Sequence, residues 1–169
     1  MIVLINGTFG VGKTTIATLL LECLPGGLLF DAELVGYFLR HIVTPSENPN
    51  DFQDLALWRS LMVTTAQQLR ATYGRTPIMP MTIWRLDYFN KVVGGLRAIE
   101  PEPHHFTLTA RPETLEARIR RSGEAVEWRL DHLQRCTAAL ASPDFATQIA
   151  TADRTPAAIV EAIVAQLPR

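Results

Sequence analysis

The chain has 169 residues and a formal net charge of −1, with 16 basic and 17 acidic residues. This length suits one domain with its own core, and the near-neutral charge gives no basis for non-specific nucleic-acid binding. No apolar run approaches the roughly 18 residues of a transmembrane segment, and the start of the chain lacks the pattern of a signal peptide. The two cysteines, Cys23 and Cys136, match no metal-binding spacing and are expected in the core, as in a cytoplasmic protein. The sequence makes no prediction of oligomeric state.

The chain opens with an apolar strand, residues 1–6, then a segment with the pattern Gly-x4-Gly-Lys-Thr, then a helix-forming stretch, residues 16–24. Strand, glycine loop and helix in this order are the context of a phosphate-binding loop, in which backbone N–H groups point at phosphate oxygens. We expect Lys13 to reach the β- and γ-phosphates of ATP as a catalytic and binding residue, and the Thr14 hydroxyl to ligate Mg²⁺. The residues expected to bind the nucleotide are Gly7, Thr8, Phe9, Gly10, Val11, Gly12, Lys13, Thr14 and Thr15.

A second short buried strand, residues 28–30, ends at Asp31. Ligands of open α/β sheets bind outside the carboxyl ends of the strands, so Asp31 is a candidate catalytic and substrate-binding residue. It would either orient Mg²⁺-bound water or accept the proton of an attacking hydroxyl; an N-cap role for the next helix is compatible with both. Glu33 is expected to be a solvated carboxylate that complements the helix dipole.

Two helical patterns follow, over residues 34–43 and 51–73, separated by the loop-like stretch 44–50. Arg40 near the end of the first helix would contact a ligand anion or simply complement the helix terminus. Arg59 on the second is a candidate substrate or phosphate contact, with a solvated helix face as the alternative. The two helices are interpreted as a movable flap on the substrate side.

The third strand is predicted over residues 76–83, although two prolines are unusual for a central strand. Many enzymes with a phosphate-binding loop end this strand with an Asp that holds Mg²⁺ through water, but here the chain has Met81 and Thr82, and no acid before Asp87. This absence argues against a motor-type ATPase. Thr82 and Trp84 are candidate substrate contacts, with core packing as the alternative for Trp84. Asp87 is expected to cap the following helix.

An arginine-dense pair of helices is predicted over residues 111–121 and 125–141. Its arginines would close over the nucleotide and stabilise the transferring phosphoryl group, with Arg118 and Arg121 as the best candidates. The alternative is a charged surface in which neighbouring glutamates pair with the arginines. Arg154, in a loop near the end of the chain, is a further candidate contact to the nucleotide.

With a fourth strand at residues 104–110 and a fifth at 147–151, strands and helices alternate along the whole chain. This order predicts an α/β, three-layer P-loop NTPase fold, nucleotide-kinase-like, with a five-stranded parallel sheet and a helical lid. The expected organisation is a single domain, residues 1–169, with a substrate flap at about 32–75 and an arginine-rich lid at about 118–136.

Six sequence blocks carry a more specific resemblance: INGTFGVGKT, FDAELVGYFLR, DFQDLALWR, PMTIWRLDYFN, HHFTLTA and LASPDF. With these blocks in this order, the chain resembles the tunicamycin resistance protein family and, more broadly, small P-loop kinases of the nucleoside, shikimate and gluconate type. The resemblance implies an ATP-binding protein linked to tolerance of tunicamycin, a lipid-tailed uridine nucleoside antibiotic.

Two functions fit this resemblance. One is Mg-ATP-dependent phosphorylation of a small hydroxyl compound, such as a nucleoside-like antibiotic. The other is ATP-dependent binding that sequesters tunicamycin without modifying it. A GTPase switch is disfavoured because no guanine-reading Asn/Thr-Lys-x-Asp stretch occurs, and the catalytic-loop pattern of protein kinases is absent.

Overall fold

A parallel sheet forms the centre of the molecule in the computed structural model, which describes residues 1–44, 51–145 and 147–168. The strands are β1 (Val3–Gly7), β2 (Gly27–Leu29), β3 (Thr76–Pro80), β4 (His104–Thr109) and β5 (Gln148–Ala150). Their order across the sheet is β2-β3-β1-β4-β5, and every neighbouring pair is parallel. The predicted five-stranded parallel α/β fold is therefore confirmed.

Helices cover both faces of this sheet. In the described residues they are α1 (Lys13–Cys23), α2 (Glu33–Ile42), α3 (Ala56–Tyr73), α4 (Leu86–Leu96), α5 (Pro112–Ser122), α6 (Val126–Leu140) and α7 (Pro156–Val164). Two hydrophobic clusters separate the layers. One packs α1, α5 and α7 on the sheet, and the other packs α2, α3 and α4 on the opposite face. Alternate β1 residues enter different clusters, Val3 and Ile5 in the first and Leu4 in the second, as the two-residue period of a strand requires.

The two prolines of β3 are compatible with its interior position because of where each nitrogen points. Thr76 donates its N–H to Gly26 on the β2 side, whereas Met81 donates to Ile5 on the β1 side. By this alternation Pro77 faces β1 and Pro80 faces β2. The ladder with β1 begins at Ile78 and the ladder with β2 ends there, so neither proline removes a bond from a ladder.

Two predicted helix starts were wrong. Residues Phe52–Asp54 form a separate 3-10 turn, capped by the Asp51 carboxylate, and Leu55 is extended before α3 begins. The helix α4 begins at Leu86 with an extended Arg85 before it, so Asp87 lies in the first turn and is not the cap.

The cysteines also differ from one another. Cys136 is buried as expected, but Cys23 is exposed at the end of α1, because the buried stripe of that helix consists of Ile16, Ala17 and Leu20. Of the predicted loop 44–50, residues 45–50 lie outside the described part of the chain. None of the described helices is long and apolar enough to cross a membrane.

Candidate active site

The loop between β1 and α1 turns tightly at the carboxyl edge of the sheet. Gly7 has φ 148°, and a Cβ atom there would lie 2.8 Å from the Leu108 carbonyl oxygen and from a Val11 methyl group. Only glycine fits this close approach. Gly10 and Gly12 also have positive φ, and the helix α1 begins directly after them at Lys13. The loop therefore has the strand-to-helix context predicted for phosphate binding.

The Lys13 ammonium lies inside this loop. It donates to the Thr8 carbonyl oxygen at 3.0 Å and lies 5.8 Å from the centre of the Phe9 ring. Burial lowers the pKa of Lys13 to about 8; Glu33 opposes this shift and Arg129 adds to it. The lysine is thus a partly desolvated cation, which an anionic ligand would stabilise.

A buried asparagine joins the phosphate-binding loop to the segment after β3. The Asn6 side-chain oxygen accepts the N–H of Gly7 at 2.8 Å and that of Ile83 at 2.9 Å, and its amide donates to the Ile83 carbonyl at 2.9 Å. Asn6 is fully buried, so these bonds satisfy its polar atoms. They fix Thr82 beside the loop, at the carboxyl end of the sheet.

Two adjoining cavities open at this edge. The phosphate-loop cavity, about 670 Å³, is lined by loop residues from Phe9 to Thr15 together with Asp31, Arg118 and Arg154. The aromatic cavity, about 230 Å³, is lined mainly by α2, the 3-10 turn, the segment after β3 and the start of α6. Its aromatic lining residues are Phe9, Tyr37, Phe52, Trp58 and Trp128.

The walls of the aromatic cavity are held by ring contacts. Phe9 packs edge-on against Trp128 with 5.3 Å between ring centres, and Phe52 lies 5.2 Å from Trp58. The indole N–H of Trp58 donates to the Ala32 carbonyl at 2.9 Å. A Cβ atom on Gly36 would lie 2.6 Å from the Phe52 ring, so α2 needs glycine there to seat this ring. The cavity is therefore largely preformed, with flat apolar faces suited to a ring-containing compound.

Among the described residues, three line both cavities: Phe9, Glu33 and Arg129. Burial raises the pKa of the Glu33 carboxyl, whereas the opposite charge of Lys13 lowers it. The Arg129 guanidinium pairs with Glu124 at 3.2 Å and contacts the Ser122 hydroxyl at 3.3 Å. A carboxylate and a guanidinium thus lie where the two cavities meet.

Of the two arginines predicted to act from the lid, only Arg118 lines a cavity. Arg118 faces the phosphate-loop cavity and contacts the Gly10 carbonyl at 3.4 Å. Arg121 is exposed at the end of α5 and lines neither cavity. The reason is the helical period: α5 buries Leu115 and Ile119, and Arg118 lies beside this stripe, whereas Arg121 points away from it.

Of the predicted substrate contacts, some line the aromatic cavity and others do not. Arg40 and Thr82 line the aromatic cavity, and the buried Thr82 hydroxyl has no hydrogen-bond partner in the described structure. Arg59 instead donates to the Gln53 carbonyl and stacks on Tyr88 at 4.0 Å. Trp84 packs against the second hydrophobic cluster and lies 5.2 Å from the Arg135 guanidinium, away from both cavities.

Asp31 and Arg154 lie on the phosphate side only. An Asp31 oxygen accepts the N–H of Glu33 at 2.9 Å, but the N-cap position of α2 is occupied by Ala32, so Asp31 supports the helix start from one residue before the predicted cap position. Arg154 donates to the Ala158 carbonyl at 2.8 Å. Both side chains line the phosphate-loop cavity.

The cavity fits a nucleotide with a metal ion bound to its phosphates. The positive-φ glycines leave the loop open for phosphate oxygens, Lys13 supplies a cation, and exposed Thr14 supplies a hydroxyl. In the described residues no group of three or more His, Cys, Asp or Glu side chains could hold a metal, and Pro80, Met81 and Thr82 occupy the end of β3. A Mg²⁺ ion would therefore depend mainly on Thr14 and on nucleotide oxygens.

Of the residues shared by the two cavities, sequence reasoning named Phe9 and missed Glu33 and Arg129. Glu33 was expected to be solvated and is half-buried instead. A signal was present, since Glu33, Tyr37 and Arg40 are spaced as one face of a helix, and all three line the aromatic cavity. Arg129 could not be singled out from the other arginines of the predicted lid, because its position depends on how α6 packs against α5 and the sheet.

No model of a protein family matches the chain, and no curated protein sequence matches it. Solved structures match well. A tunicamycin resistance protein of Deinococcus radiodurans is 28% identical, with a TM-score of 0.82, over 98% of this chain and 94% of that chain.

More distant structures share the fold. A sugar kinase from a Janibacter species is 20% identical, with a TM-score of 0.71 over 97% of this chain and 92% of its own. A shikimate kinase from Bacteroides thetaiotaomicron is 13% identical, with a TM-score of 0.67 over 99% of both chains. The chain therefore has the fold of P-loop kinases and is similar, over nearly its whole length, to a tunicamycin resistance protein.

Proposed function

We propose that the protein transfers the γ-phosphoryl group of Mg-ATP to a hydroxyl of a small nucleoside-like compound, and that this reaction confers resistance to tunicamycin or a related antibiotic. The observation that supports it most directly is the pair of adjoining cavities. One contains the phosphate-binding loop, the other has aromatic walls, and Phe9, Glu33 and Arg129 line both. A phosphoryl donor and a ring-bearing acceptor would meet at these three residues.

The residues of the phosphate-loop cavity would bind ATP. Loop N–H groups and the α1 dipole would hold its phosphates, and Lys13 would exchange the Thr8 carbonyl for phosphate oxygens. Thr14 would ligate Mg²⁺, with Asp31 nearby; when bound, the ion neutralises phosphate charge. Arg118 and Arg129 would stabilise the charge that develops on the transferring group.

The aromatic cavity would bind the acceptor. Its rings offer stacking faces, and the unpartnered Thr82 hydroxyl offers a hydrogen bond to a polar group of the ligand. Arg40, also in the lining, would contact an electronegative group. Arg59 and Trp84 would support the cavity through their packing.

Sequestration of the antibiotic without transfer is the second candidate. It is favoured by the absence of an acid at the end of β3, where Pro80, Met81 and Thr82 lie, because many kinases of this fold use such an acid to hold Mg²⁺. Under this alternative, ATP would only set the conformation that binds the compound. We also propose a cytoplasmic location, because ATP is available there and both cysteines are free thiols.

Mass spectrometry of the small molecules separates these functions. The protein is incubated with Mg-ATP and tunicamycin, and in parallel with a panel of nucleosides, with Lys13→Ala as the blank. A compound that gains one phosphoryl group only with the wild-type protein supports transfer and identifies the acceptor. ATP-dependent retention of unmodified tunicamycin supports sequestration. If neither outcome is observed, both proposals are refuted.

A further inference from the structure

Four side chains fix the 3-10 turn Phe52–Asp54 in place. The turn forms one wall of the aromatic cavity through Phe52 and Gln53. None of the four side chains lines either cavity, so their influence on a bound ligand is indirect. They come from the turn itself, from the first turn of α3 and from the start of α4. We call them the turn clamp, which consists of Asp54, Arg59, Arg85 and Tyr88.

Tyr88 is the centre of the turn clamp. Its ring belongs to the second hydrophobic cluster and the residue is 8% exposed, so packing fixes the side chain. The Tyr88 hydroxyl donates to an Asp54 carboxylate oxygen at 2.8 Å, which joins α4 to the 3-10 turn. A hydrogen bond to a carboxylate is stronger than one between neutral groups. We therefore expect this bond to be the strongest contact in the clamp.

Two arginines complete the turn clamp, and each guanidinium lies 4.0 Å from the centre of the Tyr88 ring. Arg59 also donates to the Gln53 carbonyl oxygen, so it holds the backbone of the turn. Arg85 pairs with Asp54 at 3.2 Å, but these two side chains are 42% and 44% exposed, and exposed ion pairs add little stability. Tyr88 and Arg59 therefore hold the turn more firmly than Arg85 does.

The clamp connects two walls of the aromatic cavity. Thr82 lies on the inner wall, six positions before Tyr88 in the chain. The next residue, Ile83, is hydrogen-bonded through its N–H and its carbonyl to the buried Asn6, so this segment has a fixed place. Because Tyr88 bonds to the turn that carries Phe52, it positions the outer wall relative to this fixed inner wall.

We infer that the turn clamp sets the width of the aromatic cavity and thereby selects which acceptors fit, with Tyr88 as the positioning residue. The inference rests on the proposed function, because it needs a ring-bearing compound in that cavity. It applies to phosphoryl transfer and to sequestration alike, since both begin with binding there. A wall that is fixed before binding costs the ligand less to organise. Without the clamp only a fraction of the molecules would have a competent wall, and affinity would fall in proportion.

The test removes one hydroxyl from the clamp. Tyr88→Phe keeps the ring that both arginines contact, Asp54→Ala removes the acceptor of the bond, and Asp54→Asn keeps an oxygen that can accept it. Tyr73→Phe is the matched control, because Tyr73 ends α3 and is 68% exposed. Calorimetry measures the affinity of each protein for Mg-ATP, for tunicamycin and for each nucleoside of the panel, and thermal unfolding measures Tm. Where the wild type transfers a phosphoryl group, kcat and the KM of the acceptor are measured as well.

Tyr88→Phe is expected to weaken acceptor binding about three- to thirtyfold, as for a wall that is competent in only a fraction of the molecules. The affinity for Mg-ATP and the value of kcat should stay at the wild-type level. Discrimination between nucleosides of different size should narrow, because a less firmly held wall excludes bulky compounds less well. Asp54→Asn should keep most of the wild-type affinity, and Asp54→Ala combined with Tyr88→Phe should bind no worse than either single variant.

A purely structural role for Tyr88 would give a different result. If Tyr88→Phe lowers Tm but keeps wild-type acceptor affinity and size discrimination, or if it loses acceptor and Mg-ATP affinity equally, the inference is overturned. If Tyr88→Phe does not fold, Asp54→Ala tests the same bond from its exposed side. A wild type that binds none of the compounds refutes the proposed function together with the inference, whereas a wild type that binds them with the same affinity as Tyr88→Phe refutes the inference alone.

Discussion

Lys13 offers a test of the phosphate-binding loop that needs no acceptor. Its pKa falls from the ordinary value of 10.5 to about 8 because the ammonium is buried. Between these pH values the unfolded chain binds a proton that the folded protein lacks, so the free energy of unfolding rises as the pH increases through that window. Below pH 8 the lysine is charged in both the folded and the unfolded state, so the free energy of unfolding is lowered by the full cost of burying the charge. Replacing Lys13 with methionine should therefore stabilise the nucleotide-free protein at pH 7.

The size of this effect follows from the shift. At 1.36 kcal/mol for each pH unit, a fall from 10.5 to about 8 corresponds to about 3 kcal/mol. Because the side chain is only half-buried, solvent screening reduces the expected value to about 1–3 kcal/mol. For a chain of this length each kcal/mol moves Tm by about 2–4 °C, so Lys13→Met should melt roughly 2–12 °C above the wild type at pH 7.

Thermal unfolding at pH 7 and pH 10, with and without Mg-ATP, measures the effect. The advantage of Lys13→Met should shrink at pH 10, where the wild-type lysine is neutral in the folded state. Mg-ATP should raise Tm of the wild type and not of the variant, because the phosphates supply the missing countercharge. Lys91→Met, which replaces the only other lysine and an exposed one, is the matched control.

Equal stability of Lys13→Met and the wild type at both pH values would refute the reasoning that the ammonium is desolvated. Normal stabilisation of the folded variant by Mg-ATP would refute the assignment of the loop as the phosphate site. Titrating groups that do not interact with the Lys13 charge affect both proteins equally and cancel in the comparison. Glu33 and Cys136 do interact with that charge, and burial raises the pKa of each.

Three further substitutions test the cavities. Arg129→Ala should slow phosphoryl transfer at least tenfold in single-turnover assays, whereas Arg121→Ala should not; equal rates for both variants would remove Arg129 from the reaction. Gly36→Ala should displace the Phe52 ring, destabilise the protein by about 1–3 kcal/mol in urea unfolding and raise the KM of the acceptor, and an unchanged midpoint would show that the ring can move freely. Thr82→Val should leave Tm unchanged or higher but weaken acceptor binding in calorimetry, because the Thr82 hydroxyl has no hydrogen-bond partner among the described residues; full affinity would exclude a contact to the ligand.

Local patterns predicted the elements well where neighbours in sequence decide the structure. The loop from Gly7 to Thr15 is one such case, because it lies between a strand and a helix and contains its glycines within a short stretch. The helix predicted from Asp51 failed because the apolar spacing continues across Leu55, whose extended conformation interrupts the helix. Helix propensity does not predict this break, because it is stabilised by a contact from further along the chain. The Arg59 guanidinium donates a hydrogen bond to the Gln53 carbonyl oxygen.

The candidate site was predictable only in part, for a similar reason. Asp31 could be recognised because the end of a strand next to a phosphate-binding loop is a defined place in the fold. Glu33 and Arg129 line the same two cavities only once α2 and α6 have taken their places in the fold, and no spacing in the sequence relates the two residues. Arg121 is the opposite case. It lies in an arginine-dense helix, which is why a contact to the nucleotide was predicted, but its side chain is on the exposed face of that helix.

The Asn6 bridge has a consequence for how such a site diversifies. Because one buried amide holds both Gly7 and Ile83, the inner wall of the aromatic cavity is tied to the loop beneath it, and a substitution there would disturb both halves. The outer wall, formed by Tyr37, Arg40 and Phe52, is free of that tie. We therefore expect substitutions in α2 and in the 3-10 turn Phe52–Asp54 to change the shape of the aromatic cavity while leaving the conformation of the phosphate-binding loop intact.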